Sequence, residues 1–139
     1  MKNIVRNVLA FIVGIVVGAG VNMLLVMLGP MLIPPPAGVN MSDAASLSSS
    51  IHLLEPRHFV FPFLAHAAGT FAGAAVAFLL AAGHRSAMAW AVGVFFLLGG
   101  IAASTMIAAP TWFVVTDLLL AYLPPAWLGS RVASRFVRS

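Results

Sequence analysis

Residues 4–29 read IVRNVLAFIVGIVVGAGVNMLLVMLG, an apolar run that is interrupted only by Arg6, Asn7 and Asn22. An α-helix rises 1.5 Å per residue, so roughly 20 apolar residues cross the hydrocarbon of a bilayer. The whole chain has the same character, since 62% of its 139 residues are hydrophobic and 7% are charged. A soluble domain carries about 25% charged residues. The sequence therefore predicts an integral membrane protein.

Three further apolar runs follow the first. Proline lacks the N–H that a further helical turn needs, so Gly29–Pro30 is predicted to end the first helix. The predicted helices cover residues 4–29, 59–82, 87–108 and 111–128. They form a single all-α domain, an antiparallel bundle of four transmembrane helices, with an outer loop at 30–58 and a basic tail at 129–139. Within the loop, Ser42 or Asp43 can cap a short helix that reaches Leu54.

The basic residues predict the orientation of the bundle. Six of them fall on one side of a chain that crosses four times: Lys2, Arg6, Arg85, Arg131, Arg135 and Arg138. Arg57 is alone on the other side. Because loops rich in Lys and Arg stay in the cytoplasm, both termini are expected there, in a multi-pass protein of a bacterial inner membrane.

The beginning and end of the chain carry two secondary signals. Lys2 and Arg6 resemble the start of a signal peptide, but the apolar run is longer than the roughly 7–15 residues of such a peptide's core, which favours a retained helix. The tail residues Arg131, Arg135 and Arg138 share one helical face and could bind anionic lipid or a partner, or act as an ordinary cytoplasmic anchor. Three aromatic residues of the fourth helix are expected at the membrane surfaces: Trp112, Tyr122 and Trp127.

Small residues predict where the helices approach one another. Gly14 and Gly18 lie four apart in the first helix, and Gly69 and Gly73 lie four apart in the second. Apolar burial gives little drive for association in lipid, so helices associate through close backbone contact at such residues. These faces pack either within the bundle or against another subunit. The expected partners are therefore further copies of this chain or other membrane subunits.

A few polar residues lie within the predicted spans. Counted along the helices, Asn22, His66 and Asp117 lie at similar depth below the loop side, with Thr70 one turn deeper than His66. An unpaired Asp in a membrane is costly, so Asp117 is expected to have a partner, and His66 is the candidate. Burial disfavours the charged forms of both groups whereas pairing favours them, so such a pair can exchange a proton. Alternatively, these side chains only hold the helices together.

A second polar group precedes the second helix. His52, Glu55 and His58 could join His66 around a divalent metal if the loop folds over the bundle. Their spacing is poorer than the i, i+4 pair of a helical zinc motif, and Pro56 interrupts any helix there. The alternative is an ion pair of Glu55 with Arg57 or His58 at the start of the second helix.

Other chemistry finds little support in the sequence. There is no cysteine, no G-x-S-x-G motif and no nucleic-acid motif, and a single mid-helix histidine argues against a haem axial pair within this chain. No catalytic residue and no cofactor is predicted. Three functions remain: an accessory or assembly subunit of a larger membrane complex, a small proton-coupled transporter or channel using Asp117 and His66, and a membrane enzyme or cofactor binder at the outer mouth.

Overall fold

The computed structural model describes residues 1–137, in which every regular element is helical. Residues 1–137 form six α-helices: α1 Lys2–Leu32, α2 Ala44–Ser50, α3 Val60–Leu80, α4 Arg85–Met106, α5 Thr111–Leu120 and α6 Leu123–Val137. Two 3-10 turns, Ile51–Leu53 and Pro56–Phe59, precede α3. Four helical segments are long and apolar enough to cross a membrane, the last of them comprising α5 and α6. The prediction of an all-helical chain with four such segments is confirmed.

The predicted end of the first helix is wrong. Pro30 lies inside α1, which continues to Leu32. A proline removes one backbone donor, but in the last turn of a helix few further bonds depend on it. The N–H of Ile33 donates to the carbonyl of Gly29 at 2.8 Å and closes that turn. The loop is correspondingly shorter than residues 30–58.

The fourth predicted helix differs more strongly from the structure. It is interrupted at Ala121 and Tyr122, so that α5 ends at Leu120 and α6 begins at Leu123. Pro124 and Pro125 cannot donate backbone hydrogen bonds, but the first turn of a new helix does not require those donors. Residues 129–137, predicted as a separate tail, are the second half of α6.

α3 is the central helix and packs against α1, α4 and α6. A Cβ atom added to Gly14 would lie 2.7 Å from the carbonyl oxygen of Gly73, and one added to Gly18 would lie 2.7 Å from that of Gly69. The four glycines therefore lie in the α1–α3 interface, where their missing side chains let the two backbones touch. This arrangement is the close approach that small residues permit in membranes.

Polar contacts hold the start of α1 beside the end of α3. The Arg6 Nε–H donates to the carbonyl of Leu80 at 2.8 Å. Asn7 Oδ1 accepts from the N–H groups of Ala82 and Gly83 at 2.9 and 3.3 Å. α1 and α3 are therefore antiparallel. We call this the terminal end of the bundle, and the opposite end, which carries residues 33–59, the loop end.

The segment before α3 folds back over the loop end. Asp43 caps α2 by accepting from the N–H of Ser46 at 2.8 Å. The hydroxyl of Ser48 donates to the carbonyl of Met106, the last residue of α4, at 3.3 Å. The N–H and ring of His58 contact Glu55 and Pro34 within the same segment. As a result, the loop covers the polar residues between the helices.

Candidate functional site

A buried carboxylate on α5 contacts a histidine on α3. Asp117 Oδ1 lies 2.8 Å from His66 Nδ1, and the hydroxyl of Tyr122 donates to Asp117 Oδ2 at 3.0 Å. The aromatic rings of His66 and Tyr122 are stacked with centroids 5.6 Å apart. Asp117 is only 5% exposed, whereas the side chain of His66 retains 29% exposure. We call these three residues the acid–imidazole centre.

The hydrogen bonds of this centre define the state of the imidazole. An ionised carboxylate offers only acceptors, so with Asp117 ionised the proton between it and His66 resides on Nδ1. The neutral ring then presents Nε2 as a proton acceptor, and no hydrogen bond to Nε2 is made by any residue of the range 1–137. A carboxylate behind an imidazole orients the ring and stabilises its protonated form. The centre can therefore accept and release a proton at Nε2.

Two cavities meet at His66. The larger, which we call the loop cavity, has a volume of about 240 Å³ and extends from Asp117 and His66 to the covering loop. The smaller, which we call the helix cavity, has a volume of about 160 Å³ and lies among α1, α3 and α4. Of the residues that line both, Gly100 and Ala103 are apolar and His66 is titratable. An imidazole at this position can exchange protons with either cavity.

The polar residues that the sequence places within the spans line two different cavities. Asn22 and Thr70 line the helix cavity together with His66, whereas Asp117 lines the loop cavity. Thr70 is 1% exposed, and its hydroxyl has no hydrogen-bond partner in residues 1–137. A buried hydroxyl without a partner is costly, so this oxygen is available to a small polar molecule in the helix cavity.

The residues predicted as metal ligands are not brought together. His58 Nδ1 accepts from the N–H of Glu55 at 2.9 Å, and its Nε2 lies 3.2 Å from the carbonyl oxygen of Pro34. Both ring nitrogens are thus used by the loop itself. Within the described part of the chain, no three His, Asp or Glu side chains form a group that could hold a metal ion. The structure does not assemble a site from His52, Glu55, His58 and His66.

The ion pair considered as the alternative is present. Arg57 Nε lies 2.9 Å from Glu55 Oε2, with both side chains more than half exposed. The Glu55 side chain also accepts from the backbone of His58, which completes a capping box at the Pro56–Phe59 turn. Since exposed pairs contribute about 0–1 kcal/mol, the capping bonds matter more for positioning the start of α3.

The basic tail is only partly described. Arg131 and Arg135 lie on the exposed side of α6, with the Arg131 guanidinium 5.4 Å from the centroid of the Trp127 ring. Arg138 lies outside the described residues. The arrangement leaves two cationic side chains at the terminal end, where lipid phosphate or a partner could contact them.

Tyr122 is the site residue that sequence reasoning missed. It was expected at a membrane surface with Trp112 and Trp127, but it is 3% exposed and bonds to Asp117. In one continuous helix, residues five apart point in different directions. The interruption between α5 and α6 brings the phenol onto the carboxylate, and Pro124–Pro125 is the sequence signal that could have indicated this break.

Removing the hydroxyl in Tyr122→Phe should destabilise the protein by roughly 1–3 kcal/mol, because a hydrogen bond to a buried charged group is lost. The ring volume is unchanged, so the stacking on His66 should persist. Denaturant unfolding of the purified protein in detergent measures the effect. A stability equal to that of the wild type would show that this hydrogen bond does not support Asp117.

Comparison with protein-family models, curated proteins and solved structures finds no match for this chain.

Proposed function

We propose that this chain is a small polytopic membrane protein that moves protons through the Asp117–His66 pair, as a proton-coupled transporter or channel. The position of the His66 imidazole is the observation that favours this function over the other candidate functions. A buried carboxylate holds the imidazole at 2.8 Å, and that imidazole lines both cavities. Ionisable groups within membrane spans are rare, and they mark ion and proton pathways.

The proton route follows from the geometry. Nε2 of His66 takes a proton from one cavity, and the negative charge of Asp117 stabilises the imidazolium that forms. Release to the other cavity returns the ring to its neutral state. Thr70 and Asn22 can bind the water or polar group that receives the proton in the helix cavity. Tyr122 keeps the carboxylate in place during both steps.

The orientation is part of the proposal. Arg6 lies beside the end of α3, Arg85 begins α4, and Arg135 lies in the last turn of α6. Positive charge thus collects at the terminal end, which favours a cytoplasmic location for both termini in a bacterial inner membrane. The loop cavity then faces the outer side.

A second candidate function is an accessory or assembly subunit of a larger membrane complex. α1 favours it, because this helix of 31 residues buries only Ala10, Gly14, Gly18 and Gly29. Other apolar side chains of α1, among them Val16, Met23 and Met27, are more than half exposed and could contact lipid, a second copy of this chain or another membrane subunit. The mass of the protein in a gentle detergent, with co-purifying chains identified, separates these states.

The proton-moving function is tested in liposomes. Full-length protein is reconstituted around a trapped pH-sensitive dye, and a potassium gradient with valinomycin makes the lumen negative. We expect the lumen to acidify at least tenfold faster than in protein-free liposomes of the same lipid. Acidification at the protein-free rate would overturn the proposal, and stoichiometric co-purifying chains would then support the accessory role.

A further inference from the structure

The loop cavity combines an apolar wall with one acidic group. Its wall is formed by side chains of the covering loop and of the helix ends, among them Met41, Leu47, Ile51, Leu54, Ile33 and Val26. Three aromatic rings also line it: Phe59, Phe61 and Phe113. The volume of about 240 Å³ lies just below the roughly 300–1,000 Å³ of typical small-molecule sites, so a ligand must be compact.

When His66 is neutral, the carboxylate of Asp117 lines this cavity without an oppositely charged partner. Arg57 is paired with Glu55 at 2.9 Å, and both ring nitrogens of His58 are used by the loop backbone. The carboxylate of Asp117 accepts from His66 and Tyr122, but two oxygens offer about four lone-pair sites. One further donor or a cation can therefore be bound at the deep end of the cavity.

We propose that the loop cavity binds a compact lipophilic cation, with its ammonium group against Asp117 and its apolar body among the loop side chains. This substrate class rests on the proposed proton-moving function. A cation satisfies the buried negative charge, which an uncharged apolar molecule cannot do. The faces of aromatic rings also attract quaternary ammonium groups, and three such rings line the wall.

The cation and the proton then compete for the same negative charge. With His66 neutral, the acid–imidazole centre carries one negative charge and attracts the cation. With His66 protonated, the centre is neutral overall and the cation is released. The titratable groups in contact with His66 are Asp117 and Tyr122, and the lining residues from α1, α2 and α4 carry none in the described chain. Binding of the cation and protonation of His66 therefore exclude one another at this centre.

The test compares two probes of nearly equal shape. Benzyltrimethylammonium carries the charge, and neopentylbenzene replaces its nitrogen by carbon. Binding of each to the full-length protein in detergent is followed by ligand NMR, with protein-free micelles as the blank. We expect the cation to bind at least tenfold more tightly than neopentylbenzene, and we expect its affinity to fall as the pH is lowered, because protons compete for the same negative charge.

Two variants test whether the carboxylate of Asp117 is responsible for the preference for the cation. Asp117→Asn should lose the preference for the cation, whereas Asp43→Asn makes the same chemical change at an exposed cap and should keep it. Equal binding of the two probes to the wild type, or a cation affinity that is unchanged when the pH is lowered, would overturn the substrate class. Neither result depends on a folded Asp117→Asn protein. Proton movement in the liposome assay without cation preference would leave the proton function standing and this inference refuted.

Discussion

Asp117→Asn is expected to reduce proton movement into liposomes at least tenfold. The amide has almost the shape of the carboxylate, but it carries no charge that could stabilise an imidazolium at His66. The amide also has N–H donors, so it can donate to Nδ1 of His66. The residue at 117 then no longer fixes a proton on that nitrogen. His66 would remain in place without its electrostatic partner. The measurement is the initial rate of lumen acidification at equal amounts of reconstituted protein.

The control for this prediction is Asp43→Asn. Asp43 is an exposed cap of α2, and asparagine caps a helix about as well as aspartate. This variant should acidify the lumen at the wild-type rate. Full activity in Asp117→Asn would eliminate the proton role of the pair. Failure of that variant alone to accumulate as folded protein would show that Asp117 has a structural role.

The largest effect on stability is expected from the glycines of the α1–α3 interface. In the double variant Gly14→Ala and Gly18→Ala, each new Cβ would lie 2.7 Å from a backbone carbonyl oxygen of α3. A backbone oxygen cannot rotate away, so the two helices must separate. Forcing extra carbon atoms into a packed interface costs about 1–3 kcal/mol for each substitution. Unfolding by a denaturing detergent should require a markedly lower concentration than for the wild type.

The same helix provides the matched control. A Cβ added to Gly20 meets no atom within 4 Å, so Gly20→Ala changes the same residue type at an open position. Alanine favours a helix over glycine by about 1 kcal/mol, and this variant should be as stable as the wild type or slightly more stable. If the double variant is as stable as Gly20→Ala, the two helices do not pack through these glycines.

The helical spans were predictable because each is a long apolar run with a break at either side. The errors occurred at prolines. Pro30 does not end α1, because a proline in the last turn of a helix removes only one donor. Pro124 and Pro125 lie in the first turn of α6, where prolines are tolerated, and not inside one continuous fourth helix. Position within the turn, which sequence alone does not fix, determines the effect of each proline.

The candidate site was only partly predictable. Counting residues along the helices placed His66 and Asp117 at similar depth, and they lie 2.8 Å apart. Their function stays a prediction. Tyr122 was missed because its direction depends on the break before α6. The structure does not bring the four predicted metal ligands together, because backbone groups of the loop use both ring nitrogens of His58. One of these contacts, to the carbonyl of Pro34, joins residues 24 apart in the chain.

The state of the His66 ring is the most direct test of the central claim, that Asp117 holds this imidazole as a proton-exchanging group. Nitrogen-15 NMR of histidine-labelled protein in lipid bilayers reports which ring nitrogens carry protons, and His66→Gln identifies the signals among the four histidines. We predict a ring that carries a proton on Nδ1, the nitrogen that faces the carboxylate of Asp117. A ring protonated only on Nε2 would contradict the account, because Asp117 would then have to donate the proton of this hydrogen bond.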